Sequence, residues 1–252
     1  MLYKLVDNIC AHVDGISLAD VGPELEEQIR EAAPDAIKQL IKENKKQDKK
    51  VTQDQAAKTL TITAFAYIKG LSGVARFMVQ KVEDRRVHAS RRCAVASVLA
   101  YLVQPHDIIP DDAPGGYGFL DDVVMLRAGL VEYLDTLPQP EMDADYEGKV
   151  VDLLVSLTPQ DARAALLQGV SSMSQLVQLI STMDPAIAEG MLAQIVANPL
   201  QASSTIAGQG FTPRAGQSYS GGSWSNGAYV EGNNVVISGG PSLIEGQLFI
   251  PG

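Results

Sequence analysis

The sequence predicts a mainly α protein, a multi-helix bundle with a central helical hairpin and a small C-terminal β-hairpin or tail. Three observations carry that expectation. Apolar residues recur at helical spacing through most of the 252-residue chain. Aromatic residues make up only 6%, so Ala, Val, Leu and Ile supply most of the 46% apolar content. Beyond Pro199 the composition shifts to Gly, Ser, Gln and Thr, and short β-patterned pieces follow.

The elements follow in order. "LYKLVDNICAHV" places Leu2, Leu5, Val6, Ile9 and Val13 on one helical face. Pro23 is expected to open the next helix, "PELEEQIREAA", with acids in its first turn. Pro34 starts a third, which ends in a lysine-rich, solvated run. Thr52 precedes a long helical pattern through "GLSG", where Gly70 and Gly73 predict a kink or a close helix contact. "RRCAVASVLAYLV" and "FLDDVVMLRAGLVEYLDTL" form the hairpin, and Pro138 and Pro140 end it. Three shorter helices come next. Thr158, Pro159 and Asp161 read as N-cap, first helical proline and first-turn acid, and Asp184 with Pro185 repeats the device.

These signals divide the chain into an N-terminal helical segment (1–50), a helical core with the hairpin (51–140), a helical bundle (141–200), a connector (201–227) and a β tail (228–252). In the tail, "AYVEGNNVVIS" and "SLIEGQLFIPG" break at Gly232-Asn233 and Glu245-Gly246, both hairpin-turn chemistry. An isolated hairpin is marginal in water. Tyr229, Val235, Ile237, Leu248, Phe249 and Ile250 are therefore the residues expected to pair, on the helical body or with another chain.

The net charge of −10 gives no footing for nucleic acid, and its distribution is uneven. Gln104 to Glu147 holds eleven acids against one base, Arg127. Just upstream lie Arg85, Arg86, Arg91 and Arg92, ahead of an apolar helix, the order of a segment that meets anionic headgroups. The alternative is a solvated loop that neutralises the acidic bend. Cys10 and Cys93 fit neither a zinc pattern nor a disulfide framework, and read as buried thiols in a reducing, cytoplasmic setting, with the membrane surface as a variant. The longest apolar run, "CAVASVLAYLV", interrupted only by Ser97, is too short to span a bilayer.

Between the hairpin helices runs "QPHDIIPDDAPGGYGFLDD". Its prolines resist helix, its glycines permit a tight loop, and its aspartates serve as turn acceptors and first-turn acids. Capping accounts for most of the carboxylates. A divalent cation held by Asp107, Asp111, Asp121 and Asp122 is the alternative, although the spacing matches no EF-hand. His106 beside these acids is a solvated turn histidine or a pH-sensitive one.

The stretch from 91 to 131 resembles the YkvA-like domain of unknown function. The resemblance rests on Pro105, Asp107, Ile109, Pro110 and Asp111, then Gly118, Phe119, Leu120, Asp121 and Asp122, flanked by apolar helices. It implies a helical hairpin, often linked with membranes, and brings no catalytic residue with it. His106 and the polar link "DDAPGGYG" depart from the family pattern and make contact with lipid less favourable.

The expected function is therefore a non-enzymatic interaction, scaffold or assembly protein, with a protein partner or self-assembly and without a resident cofactor. Peripheral association with an anionic membrane surface is the alternative. A metal-dependent hydrolase at the aspartate bend is the second.

Overall fold

The structure is a computed structural model that describes residues 1–103, 108–109 and 114–201, and the backbone of 228–231 and 234–237. Helices dominate: α1 Leu2–Gly15, α2 Leu18–Ala32, α3 Pro34–Lys46, α4 Gln53–Glu83, α5 Ala89–Leu102, α6 Phe119–Asp135, α7 Ala144–Leu157, α8 Gln160–Ser181 and α9 Pro185–Ala197, with a 3-10 turn at Pro114–Gly116. Most of the tail falls outside the described residues. Within it, backbone is described only for β1 (Ala228–Glu231) and β2 (Asn234–Ile237), and the expected β-hairpin is not shown.

The hairpin α5–α6 is the centre of the bundle. Helix α5 lies against α1, α4, α8 and α9 as well as α6, while α6 lies against α4, α7 and α8. Helix α5 is consequently buried nearly all round, from Cys93 through Ala100. The apolar run "CAVASVLAYLV" is thus clothed by protein. One interior joins Leu2 of α1 to Ile195 of α9.

The hairpin helices approach closely at Gly129. A Cβ there would sit 2.5 Å from both Val98 methyl carbons. Gly129→Ala is expected to force the pair apart and to cost about 1–3 kcal/mol, read from the urea midpoint.

Local signals place most helix ends. Thr52 and Gln55 form a reciprocal capping box, with Oγ1 accepting the Gln55 amide at 3.2 Å and Gln55 Oε1 accepting the Thr52 amide at 2.9 Å. Asp184 Oδ1 accepts from the amides of Ala186 and Ile187 at the start of α9. Three expectations are corrected. Helix α2 begins at Leu18, not Pro23, because Ser17 Oγ caps the Asp20 amide. Pro23 lies inside, and it and Ala19, whose carbonyl loses an amide partner, are both exposed residues.

Helix α4 runs unbroken through Gly70 and Gly73. Its close contact is made one residue before Gly73, where Ser72 Oγ donates to the Cys10 carbonyl at 3.3 Å. Thr158 does not cap α8. Its hydroxyl turns back to the Val155 carbonyl at 2.7 Å and finishes α7, and α8 extends over 22 residues.

Counting unbroken apolar runs also missed α4. At 31 residues it is, among the described helices, the one long and apolar enough to cross a membrane. Of its most apolar stretch, 56% is buried against other helices, and the core helix of a soluble protein meets the same criterion.

Candidate functional site

The bend between α5 and α6 is held by a carboxylate. Asp121, in the first turn of α6 and 1% exposed, accepts the backbone amides of Ile108 and Ile109 on one oxygen, at 2.8 and 3.1 Å. The charge therefore fastens the turn onto the helix that follows it. Next along the chain, Gly115 donates its amide to Glu24 Oε2 at 3.1 Å. Its φ is +71°, and a Cβ there would lie 2.4 Å from the Leu25 backbone nitrogen, so only glycine fits against α2. Tyr117 donates its hydroxyl to the Leu157 carbonyl at 2.6 Å, and burial pushes its pKa up.

Asp122 lies beside Asp121 and is buried as well. Asp107, Asp111 and His106 lie outside the described residues. Among the described residues, no group of three or more His, Cys, Asp or Glu side chains is gathered for a metal.

The cations flanking the hairpin share a task. Arg91 donates to the Thr136 carbonyl at 2.7 Å, at the end of α6, and Arg92 to the Val82 carbonyl at 2.8 Å, at the end of α4. Lys69 reaches three carbonyls, Val13, Asp14 and Ile16, at 2.7–3.0 Å where α1 ends. Arg163 does the same for α7 through Ser156 and Thr158. Each places positive charge on carbonyls at the negative end of a helix dipole. Arg85 and Arg86 differ, for both are exposed. Arg86 grips Asp84 at 2.8 Å, and this contact with the Arg86 side chain and amide lowers the Asp84 pKa to about 2.

One polar cluster lies deep in the body. Arg127 of α6 is 4% exposed and forms an ion pair with Glu147 of α7, which is 0% exposed. The guanidinium lies 5.0 Å from the centre of the Tyr67 ring on α4, and the Tyr67 hydroxyl is 3.3 Å from that of Tyr146. Burial, reinforced by Tyr146, raises the Tyr67 pKa, so the phenol is neutral at physiological pH. Arg127 Nε and Glu147 Oε1 have no hydrogen-bond partner among the described residues. The cluster joins three helices electrostatically. Sequence reasoning registered Arg127 only as one base among acids. The usable signal was its place within an apolar helix, where a buried cation needs a partner.

A half-buried carboxylate lies on the same helix as Glu147. Desolvation pushes the Asp152 pKa up from 3.8 to about 6. Because the folded state holds this proton more tightly than the unfolded state, stability falls as pH rises through that window. Asp152→Asn is expected to raise the melting temperature at pH 7.5 and to leave it unchanged at pH 4.

A family model described as a protein of unknown function (DUF1232) matches residues 91–127, the hairpin's first helix, bend and the start of its second. That stretch is well short of half the chain, and the YkvA-like resemblance is compatible with it. No curated protein and no solved structure matches the chain.

Proposed function

We propose that this protein is an interaction or assembly scaffold in which a DUF1232-type hairpin is the structural keystone and the C-terminal tail is a pairing element. The observation that carries this reading is the commitment of the hairpin's charged groups to structure. Asp121 fastens the bend, Arg91 and Arg92 finish neighbouring helices, and Arg127 ties α6 to α7. A hairpin used this way supports surfaces elsewhere. Tyr229, Val235 and Ile237, with Leu248, Phe249 and Ile250 outside the described residues, are the proposed pairing residues. The Cα positions of β2 lie within 8 Å of α4 and α7, which supports docking on the body as the resting arrangement.

The test compares the full chain with a chain ending at Gln201, by light scattering and circular dichroism. The scaffold reading expects the truncated chain to keep its helical signal and to lose tail-dependent association or partner binding. Identical behaviour of the two chains sinks the tail's role.

A second reading, association with an anionic membrane surface, has two supports. Arg85 and Arg86 are exposed, and α4 is long and apolar enough to span. Flotation of the protein with anionic but not neutral vesicles, lost at high salt, would favour it.

A further inference from the structure

Charge is sorted along α4. Before it, residues 36–52 hold six lysines, Lys38, Lys42, Lys45, Lys46, Lys49 and Lys50, against Glu43 and Asp48. That is +4 in a chain of −10, so the remaining residues carry −14. All six lysines are exposed. Lys38 pairs with Asp35 and Lys46 with Glu43, whereas Lys42, Lys45 and Lys50 enter no ion pair among the described residues. Asp48, at φ +57°, ends α3 by turning the chain back, and the amides of Asp48 and Lys49 donate to the Lys45 and Asn44 carbonyls at 3.2 and 3.0 Å. The lysines are thus displayed on a formed turn.

Unpaired acids collect toward the other end of α4. Lys81, in the last turn of that helix and about 40 Å from its start, pairs with Glu141 at 2.6 Å. Arg91 reaches the Thr136 carbonyl, which brings the end of α6 to the same place. Here Asp135 and Asp145 are exposed and in no ion pair among the described residues, with Glu132 near them. Asp135 is the last residue of α6, where the helix dipole disfavours an anion. Burial, then Glu132 and Asp145, raise its pKa, so the three carboxylates repel one another in the single chain. The cations nearby are engaged, Lys81 with Glu141, Arg86 with Asp84 and Arg91 with Thr136, and Arg85 alone is exposed without an ion pair.

We infer that the lysine turn between α3 and α4 docks head to tail on the acidic end of α6 and start of α7 in a second copy of this chain. Charge complementarity selects the occupant. A nucleic acid or an anionic membrane would answer the lysines and leave the acids repelling, whereas a second copy answers both. The two patches lie toward opposite ends of α4, too far apart to meet within one chain. The sequence after Gln201 brings two acids, Glu231 and Glu245, and one base, Arg214, too little charge to match the lysines. At about 0.15 M salt the screening length is about 8 Å, so repulsion between two −10 chains is damped while facing charges keep their attraction. Each contact leaves one lysine turn and one acidic end free, so association continues past the dimer or closes as a ring. The inference deepens the assembly reading by naming a partner and a surface apart from the tail.

Sedimentation velocity of the full chain up to about 0.5 mM, at about 50 mM and about 500 mM NaCl, tests it. At low salt the wild type is expected to associate as concentration rises, and at high salt to do so roughly tenfold more weakly or worse. Lys42→Glu with Lys45→Glu, and separately Asp135→Lys with Asp145→Lys, are each expected to stay monomeric, because like charges then face each other. An equimolar mixture of the two variants is expected to recover association, since its patches are complementary again. All four positions are exposed, so the variants keep the fold, and circular dichroism checks this. A wild type monomeric throughout overturns the inference, and so does a mixture that fails to associate. Assembly that ignores salt and disappears in a chain ending at Gln201 also overturns it, and leaves the tail reading standing.

Discussion

Replacing Glu147 with alanine is expected to destabilise the fold by about 3–5 kcal/mol, among the largest effects of any single substitution here. The cost comes from what remains. Arg127, 4% exposed, would keep its charge in an apolar interior with Tyr67 at its face and no carboxylate. Arginine keeps its proton in proteins, so the stranded charge has no such escape. Removing both charges should cost far less, because an ion pair repays little beyond its own desolvation. Urea denaturation of Glu147→Ala, Arg127→Met and the double variant closes a thermodynamic cycle. A loss below about 1 kcal/mol for Glu147→Ala would show that the pair is not buried as described.

The second large effect is expected at the bend. Asp121→Ala leaves the amides of Ile108 and Ile109 without the carboxylate that accepts both, and hydrogen bonds to a charged group contribute about 1.5–3 kcal/mol each. A loss of about 2–4 kcal/mol is expected once partial rehydration of the bend is allowed for. Asp121→Asn keeps an acceptor oxygen in place and should recover a good part of it. This pair also separates the two readings of the aspartates. Titration of Mg²⁺, Mn²⁺ or Ca²⁺ with no change in melting temperature is the result a purely structural Asp121 predicts. A cation-dependent rise that Asp121→Asn abolishes would instead place Asp121 in a cation site.

Capping chemistry was readable from the chain because it is local. Thr52 with Gln55 and Asp184 with Pro185 act within one helical turn, so their spacing is sufficient. Pro23 misled because a proline is tolerated within a helix when the carbonyl it strands lies at an exposed position, and exposure is a tertiary property. Thr158 misled for a related reason. One hydroxyl serves either the helix before or the helix after, and the chain continues in both directions.

The basic and acidic stretches show the same boundary more sharply. That Arg91 and Arg92 precede an apolar helix is plain in the sequence. Their engagement with the ends of α6 and α4 depends on helices 45 and 10 residues away. Asp121 likewise reads as a first-turn acid, whereas its hold on Ile108 and Ile109 needs the loop to fold back.

Helix content, most caps and the position of the hairpin follow from residue spacing, because 3.6-residue periodicity and capping hydrogen bonds are short-range. Whether an apolar helix faces protein or lipid, and which charges are paired, follow only from packing. Helix α5 is apolar nearly all round in either case, and what buries it is α1, α4, α6, α8 and α9 closing about it. Arg127 finds Glu147 because α6 and α7 are brought side by side, and the desolvation that makes their charges matter exists only once they are enclosed.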